Sequence, residues 1–139
     1  MEYNEEFDKL KTKVLKYILY KKRTEHEIKQ KFMQENSEML EQVIQTLKEL
    51  DYIDDSKYIE KAAGEFIRIN NMSIKELKYK LLSKGLDKNL VEDYIQNNQD
   101  MLTEYEQKSA ENIKVKKCRG ELHSPEEINQ YLRKKGYNL

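Results

Sequence analysis

The chain has 139 residues, and its 26 basic and 26 acidic side chains leave no formal net charge. Charged and apolar residues each make up 37%, against about 25% charged in an ordinary domain. That excludes one thick core and suits thin helical modules that each bury a single stripe. A single cysteine excludes an internal disulfide framework, and no apolar run approaches the roughly 18 residues of a membrane span.

Few β-branched runs, one proline and four glycines argue for an all-α chain. Residues Met1 to Glu6 carry three glutamates and are expected to fray. A first helix is predicted from about Phe7 to Lys22, with Leu10, Val14, Tyr17 and Ile18 on one face. A second starts at Thr24, capped with Glu27, and has Ile28 and Phe32 as its stripe and Asn36 as its left-handed terminator. A third spans about Ser37 to Asp51 with Leu40, Val43, Ile44, Leu47 and Leu50 on one side.

Tyr52 and Ile53 then plug a junction, and Asp54 or Asp55 caps the next helix, predicted from about Ser56 to Asn70 with Tyr58, Ala62, Phe66 and Ile67 inward. Gly64 inside it costs about 1 kcal/mol relative to Ala unless a neighbour packs closely there. Ser73 and Glu76 cap the following helix, Leu77 and Leu81 form its stripe, and Lys84-Gly85 ends it. A helix from about Asp87 to Asn97 turns Leu90, Val91, Tyr94 and Ile95 inward. The last part offers a sparse helix from about Met101 to Lys117 and a loop from Cys118 to His123. A helix capped by Ser124 and Glu127 follows, with Pro125 in its first turn, and ends at Gly136. Its stripe, Ile128, Tyr131 and Leu132, is expected to be half covered.

The three boxes Thr24-Glu27, Ser73-Glu76 and Ser124-Glu127 stand 73 − 24 = 49 and 124 − 73 = 51 residues apart. A period of about fifty residues marks a repeat protein. The expected architecture is three tandem three-helix modules, elongated and curved: 1–53, 54–99 and 100–139, the last lacking its third helix.

Two stretches carry a resemblance. One is Ser73 to Asp87, which reads SIKELKYKLLSKGLD, and the other is the junction Leu50-Asp51-Tyr52-Ile53-Asp54-Asp55 with Tyr58. Together they resemble the RecX family, regulators of the RecA recombinase, over roughly Val14 to Tyr137. The resemblance implies three such modules and a protein that lodges in the groove of the RecA filament on single-stranded DNA. It implies inhibition of recombinase activity in DNA repair and the SOS response, without chemistry of its own. The sequence departs from the family at Asp51, where the junction usually has glycine, and at Glu35-Asn36, which replaces Lys-Gly.

Nothing in the residue pattern suggests catalysis. The histidines His26 and His123 and the lone Cys118 have no triad spacing, and Cys118 with His123 falls short of the four ligands zinc usually takes. No glycine-rich loop opens a helix to cradle a phosphate. A non-enzyme with no metal, no cofactor and no membrane partner is expected, acting as a cytoplasmic monomer.

Charge alternates by element. Lys21, Lys22, Arg23, Lys29 and Lys31 outweigh Glu25 and Glu27; Lys75, Lys78, Lys80 and Lys84 outweigh Glu76; Lys114, Lys116, Lys117 and Arg119 stand without an acid. The helices at 37–51 and 87–98 are acidic. A basic stripe of Lys21, Lys22, Arg23, Lys29, Arg68, Lys75, Lys78, Lys80, Lys114, Lys116, Lys117, Arg119, Arg133 and Lys134 is the candidate binding surface, with direct DNA contact possible. Arg68 and Arg133 stand out because guanidinium pairs bidentately with carboxylate or phosphate. Tyr3, Tyr20 and Tyr79 are candidate contacts. The competing explanation is that lysines late in short helices answer the helix dipole. Two other functions fit the pattern, a helix-turn-helix DNA-binding regulator around Leu77 to Tyr94 and a helical protein-interaction scaffold. Asp87, Glu92 and Asp93 on the reading helix speak against the first.

Overall fold

The computed structural model describes residues 4–69, 71–120 and 124–138. Every regular element among them is a helix: α1 (Asn4–Tyr20), α2 (Glu25–Lys31), α3 (Ser37–Glu49), α4 (Asp55–Ile69), α5 (Ile74–Ser83), α6 (Lys88–Asn97), α7 (Gln99–Gly120) and α8 (Pro125–Lys135). The chain forms two compact units, Met1–Tyr58 with Lys84–Leu86, and Ile59–Ser83 with Asp87–Leu139.

In the first unit, Leu10, Val14 and Ile18 of α1 meet Ile28 of α2 and Leu40, Val43, Ile44 and Leu47 of α3. Ile53 joins this cluster from the junction, and Phe7, Tyr17 and Phe32 cover its rim. Each such side chain contributes about 1.5–3 kcal/mol on burial, so the 3.6-residue stripe is what holds α1 and α3 together. α1 begins at Asn4, earlier than the frayed start expected, with Glu5 and Glu6 in its first turn where the dipole favours acid.

The stripe of α4, which runs from the first unit into the second, lies one residue out of the predicted phase. Ile59 and Ala63 are fully buried, while Tyr58, Ala62, Phe66 and Ile67 are half-buried. Leu77 and Leu81 of α5 and Val91 of α6 are buried as expected. α7 continues to Gly120, through the start of the predicted loop. Ile128 and Leu132 of α8 are buried rather than half covered, because Ala110 of α7 and Tyr137 beyond α8 pack over them.

Three turn positions repay comparison with the expectation. Asn36 is not a left-handed terminator: its φ is −59°, and its side chain accepts from Met39 N–H as the cap of α3. Asp51 takes φ 64° itself, so it makes the left-handed turn that the resemblance assigns to glycine. Asp54, not Asp55, caps α4, accepting from the N–H groups of Ser56 and Lys57.

Two glycines should respond to alanine with opposite signs. A Cβ at Gly64 meets nothing within 4 Å, so Gly64→Ala should raise stability by about 0.5–1 kcal/mol through helix propensity. Gly85 has φ +79°, and a Cβ there falls 2.2 Å from His26 Cγ. Gly85→Ala should therefore destabilise, by more than the roughly 1 kcal/mol of left-handed strain alone. Urea midpoints of the two variants test both signs.

Candidate functional site

Several of the candidate cations stand on the short helices α2, α5 and α8, and the way each of these helix starts is fixed decides where those cations stand. Thr24, fully buried, caps α2: its hydroxyl accepts from Glu27 N–H at 3.1 Å, and Glu27 accepts from Thr24 N–H at 3.0 Å. The same hydroxyl donates to the carbonyl of Lys84 at 2.9 Å. In the second unit, Ser73 is fully buried, accepts from Glu76 N–H at 3.1 Å and donates to the carbonyl of Lys135 at 2.7 Å. Each receiving lysine lies eleven residues after its own helix's cap (84 − 73 and 135 − 124) and precedes a left-handed glycine.

A carboxylate completes each arrangement. Asp55 accepts from Glu25 N–H, the first residue of α2, at 3.1 Å, and Glu106 accepts from Ile74 N–H, the first of α5, at 3.1 Å. Both acids stand eighteen residues before the next cap (73 − 55 and 124 − 106). The backbone donors that open α2 and α5 are thereby paired at the cap, first and third positions, where a helix otherwise leaves them orphaned. α8 differs. Ser124 accepts from Glu127 N–H at 3.2 Å but is exposed, and its first residue is Pro125, which has no N–H.

Several cations have internal partners. Lys29 of α2 meets Glu41 of α3 at 3.0 Å, and Lys78 of α5 meets Glu92 of α6 at 3.1 Å. The Glu41 hydrogen bond is the main cause holding the Lys29 ammonium above its ordinary pKa, with burial opposing it. Lys114 lies 3.6 Å from Glu111. At these exposures such pairs are worth at most about 1 kcal/mol each. Two of these pairs, Lys29–Glu41 and Lys78–Glu92, join a helix that bears candidate cations to the helix that follows it.

Rings hold others. The guanidinium of Arg23 lies 4.3 Å from the centroid of Tyr17, and Lys31 lies 5.7 Å from it. Lys117 lies 4.3 Å over Tyr131, with Lys135 at 5.8 Å. Tyr17 and Lys31 stand seven residues before and after Thr24, and Lys117 and Tyr131 seven before and after Ser124. Around Ser124 the ring and the cation thus stand on the opposite sides of the cap from those around Thr24. Sequence reasoning missed this pairing, although the register around each cap contained it.

Lys21, Lys22, Arg68, Lys75, Lys80, Lys116, Arg133 and Lys134 have no carboxylate within ion-pair distance among the described residues. Of these, Arg133 lines a groove in the second unit. α7 packs on α8, and a groove of about 690 Å³ between them is lined by Glu106, Lys114, Asn129, Arg133 and Tyr137, among others. Tyr137 is buried and shares a 2.6 Å hydrogen bond with Ser109, and burial pushes its phenol up to about 12. Tyr20 and Tyr79 are exposed. The side chains of Cys118 and Arg119, and residues Tyr3 and His123, lie outside the described ones. No group of three His, Cys, Asp or Glu side chains among the described residues is placed to hold a metal, and no described helix is long and apolar enough to cross a membrane.

Helix starts fixed by buried hydroxyls and by carboxylates, with cations displayed outside, define an all-α helical-repeat protein. No protein-family model matches the chain. It is 30% identical over 137 residues to the regulatory protein RecX of Clostridium acetobutylicum, covering 92% of this chain and 63% of that protein. It is 34% identical over 89 residues to the regulatory protein RecX of Streptococcus mutans, covering 63% and 34%. A crystal structure of RecX from Lactobacillus salivarius superposes with a TM-score of 0.78 at 26% identity, covering 95% of this chain and 88% of that one. The chain belongs to the RecX family. It spans between about a third and two thirds of the length of these two curated relatives, which are named as regulatory proteins.

The acid that completes the first interlock has a pH signature. Burial, the largest cause, pushes the Asp55 carboxyl above its ordinary value of 3.8, and the Glu25 N–H bond partly offsets this. The native state therefore favours the neutral acid, and this contribution is lost as pH rises through the raised pKa. Asp55→Asn keeps an acceptor oxygen without the charge, so it should gain on the parent as pH rises across that window. Asp55→Ala leaves Glu25 N–H without its acceptor and should cost about 1–3 kcal/mol. Urea unfolding of the three proteins from about pH 3 to about pH 7 reads both effects.

Proposed function

We propose that the protein is a RecX-type regulator that binds the RecA filament on single-stranded DNA and restrains recombinase activity in DNA repair and the SOS response. It acts by occupancy, in the cytoplasm, as a monomer and without catalysing a reaction. The chain is built from the three modules 1–53, 54–99 and 100–139. The observation that carries the reading is the group of cations on α7 and α8. Lys116, Arg133 and Lys134 lack a carboxylate partner among the described residues, and Lys117 is held against a ring rather than an acid.

Unneutralised lysine and arginine on packed helices suit a partner that presents phosphate between protein walls. Net charge near zero keeps such a surface from binding polyanions indiscriminately, because the acidic helices repel what does not match. Lys21, Lys22, Arg68, Lys75 and Lys80 extend the proposed contact set, and Lys29, Lys78, Arg23, Lys114 and Arg119 complete it. Direct contact with the DNA strand accompanies contact with the protein.

Addition of the chain to RecA assembled on single-stranded DNA should lower its ATP hydrolysis and strand exchange. The Lys116→Glu, Arg133→Glu, Lys134→Glu triple variant should weaken binding on the order of tenfold or more and flatten its salt dependence by about one unit of slope per lost phosphate contact. No effect of the parent chain at stoichiometric excess overturns the proposal. A gel shift of one duplex over unrelated duplexes favours the helix-turn-helix alternative instead.

A further inference from the structure

We propose that Ser73 is a positioning residue for the binding surface: the interlock at the start of α5 fixes the cations of α5 relative to those of α7 and α8. This rests on the filament-binding reading above. Three bonds from two other helices converge there. Ser73 Oγ donates to the Lys135 carbonyl at the end of α8, Glu106 of α7 accepts from Ile74 N–H, and Lys135 Nζ donates to the Asn71 carbonyl at 3.2 Å. Lys135 Nζ also lies 3.8 Å from Glu76, the acid of the α5 capping box.

The packing leaves little slack. A Cβ at Gly136 falls 2.9 Å from Lys75 Cβ and 3.1 Å from Ser73 Oγ, so the end of α8 rests directly on the first turn of α5. The backbone that carries Lys75 is thereby held against the end of α8, which carries Lys134. Glu106 is itself nearly buried and reaches the groove that Lys114 and Arg133 line. One acid thus touches both the helix start and the cation-bearing wall. A partner with fixed phosphate spacing gains from cations held in register, because ordering them on binding costs affinity.

Ser73 gives the cleaner test because it is fully buried and touches no partner. Any effect of its replacement on binding travels through the placement of α5 and α8. Ser73→Ala should speed amide exchange in the first turn of α5 and at the end of α8. It should weaken filament binding on the order of tenfold, a usual size for a coupling between elements, with a shallower salt dependence from lost phosphate contacts. Ser73→Thr, which installs the residue found at the corresponding Thr24, should restore all three.

Ser73→Gly, which keeps a tolerated helix cap without the hydroxyl, serves where the alanine protein fails to fold and should show the faster exchange, weaker binding and shallower salt dependence expected of a folded alanine protein. Faster exchange with unchanged affinity and salt slope overturns the positioning role. Unchanged exchange at α8 overturns the interlock itself. A parent protein that leaves the filament unbound removes the reading of the preceding section, while the exchange data still judge the interlock.

Discussion

One hydroxyl used twice is the constraint on which the rest of this molecule depends. Thr24 and Ser73 each accept a bond from their own helix and donate one to a carbonyl about sixty residues away. A cap alone ends a helix anywhere on a surface. A cap that also donates to the end of another helix must be buried against that end, and both residues are fully buried. Buried polar groups are expensive unless paired, so the geometry is selected sharply: a shift of one residue in either helix leaves a donor and an acceptor stranded.

The glycines follow from that bond. The carbonyls of Lys84 and Lys135 are available because the next residue turns left-handed, and the first turn of the other helix closes over the space where a side chain would stand. The lysine before each glycine thus has a role for its backbone. In Lys135 the ammonium also returns to Asn71 and Glu76, which makes it structural; Lys134 beside it is exposed and has no such tie. The basic character of these helices is divided in this way between charges that hold the fold and charges left for a partner.

Much of this was legible in the sequence, and the boundary of legibility has a physical cause. The capping boxes were readable because donor and acceptor lie three residues apart. Their period gave the repeat, and the Ser73 stretch gave the family. The phase of α4 was not readable, since Tyr58, Ile59, Ala62, Ala63, Phe66 and Ile67 offer two overlapping apolar stripes, and only packing picks Ile59 and Ala63. Asp54 and Asp55 are equally good caps in isolation; the structure splits them because Glu25 N–H needs an acceptor. Asn36, expected to turn left-handed, caps α3, and Asp51 turns left-handed in place of a glycine, for a similar reason, as either residue type tolerates both backbones. For the candidate surface, the cations could be named from the sequence. Which of them are taken by Glu41, Glu92 or a tyrosine ring depends on contacts between helices.

Pro125 gives the series a direction. α2 and α5 each begin with a residue whose N–H is met by a carboxylate from further along the chain, whereas α8 begins with a residue that has none to offer. The helices that open with Thr24, Ser73 and Ser124 are therefore not interchangeable, despite their common pattern. A permuted chain that placed the proline-led helix first or second would confront Asp55 or Glu106 with a missing donor. The order of the repeats is written into single atoms as well as into the connecting turns.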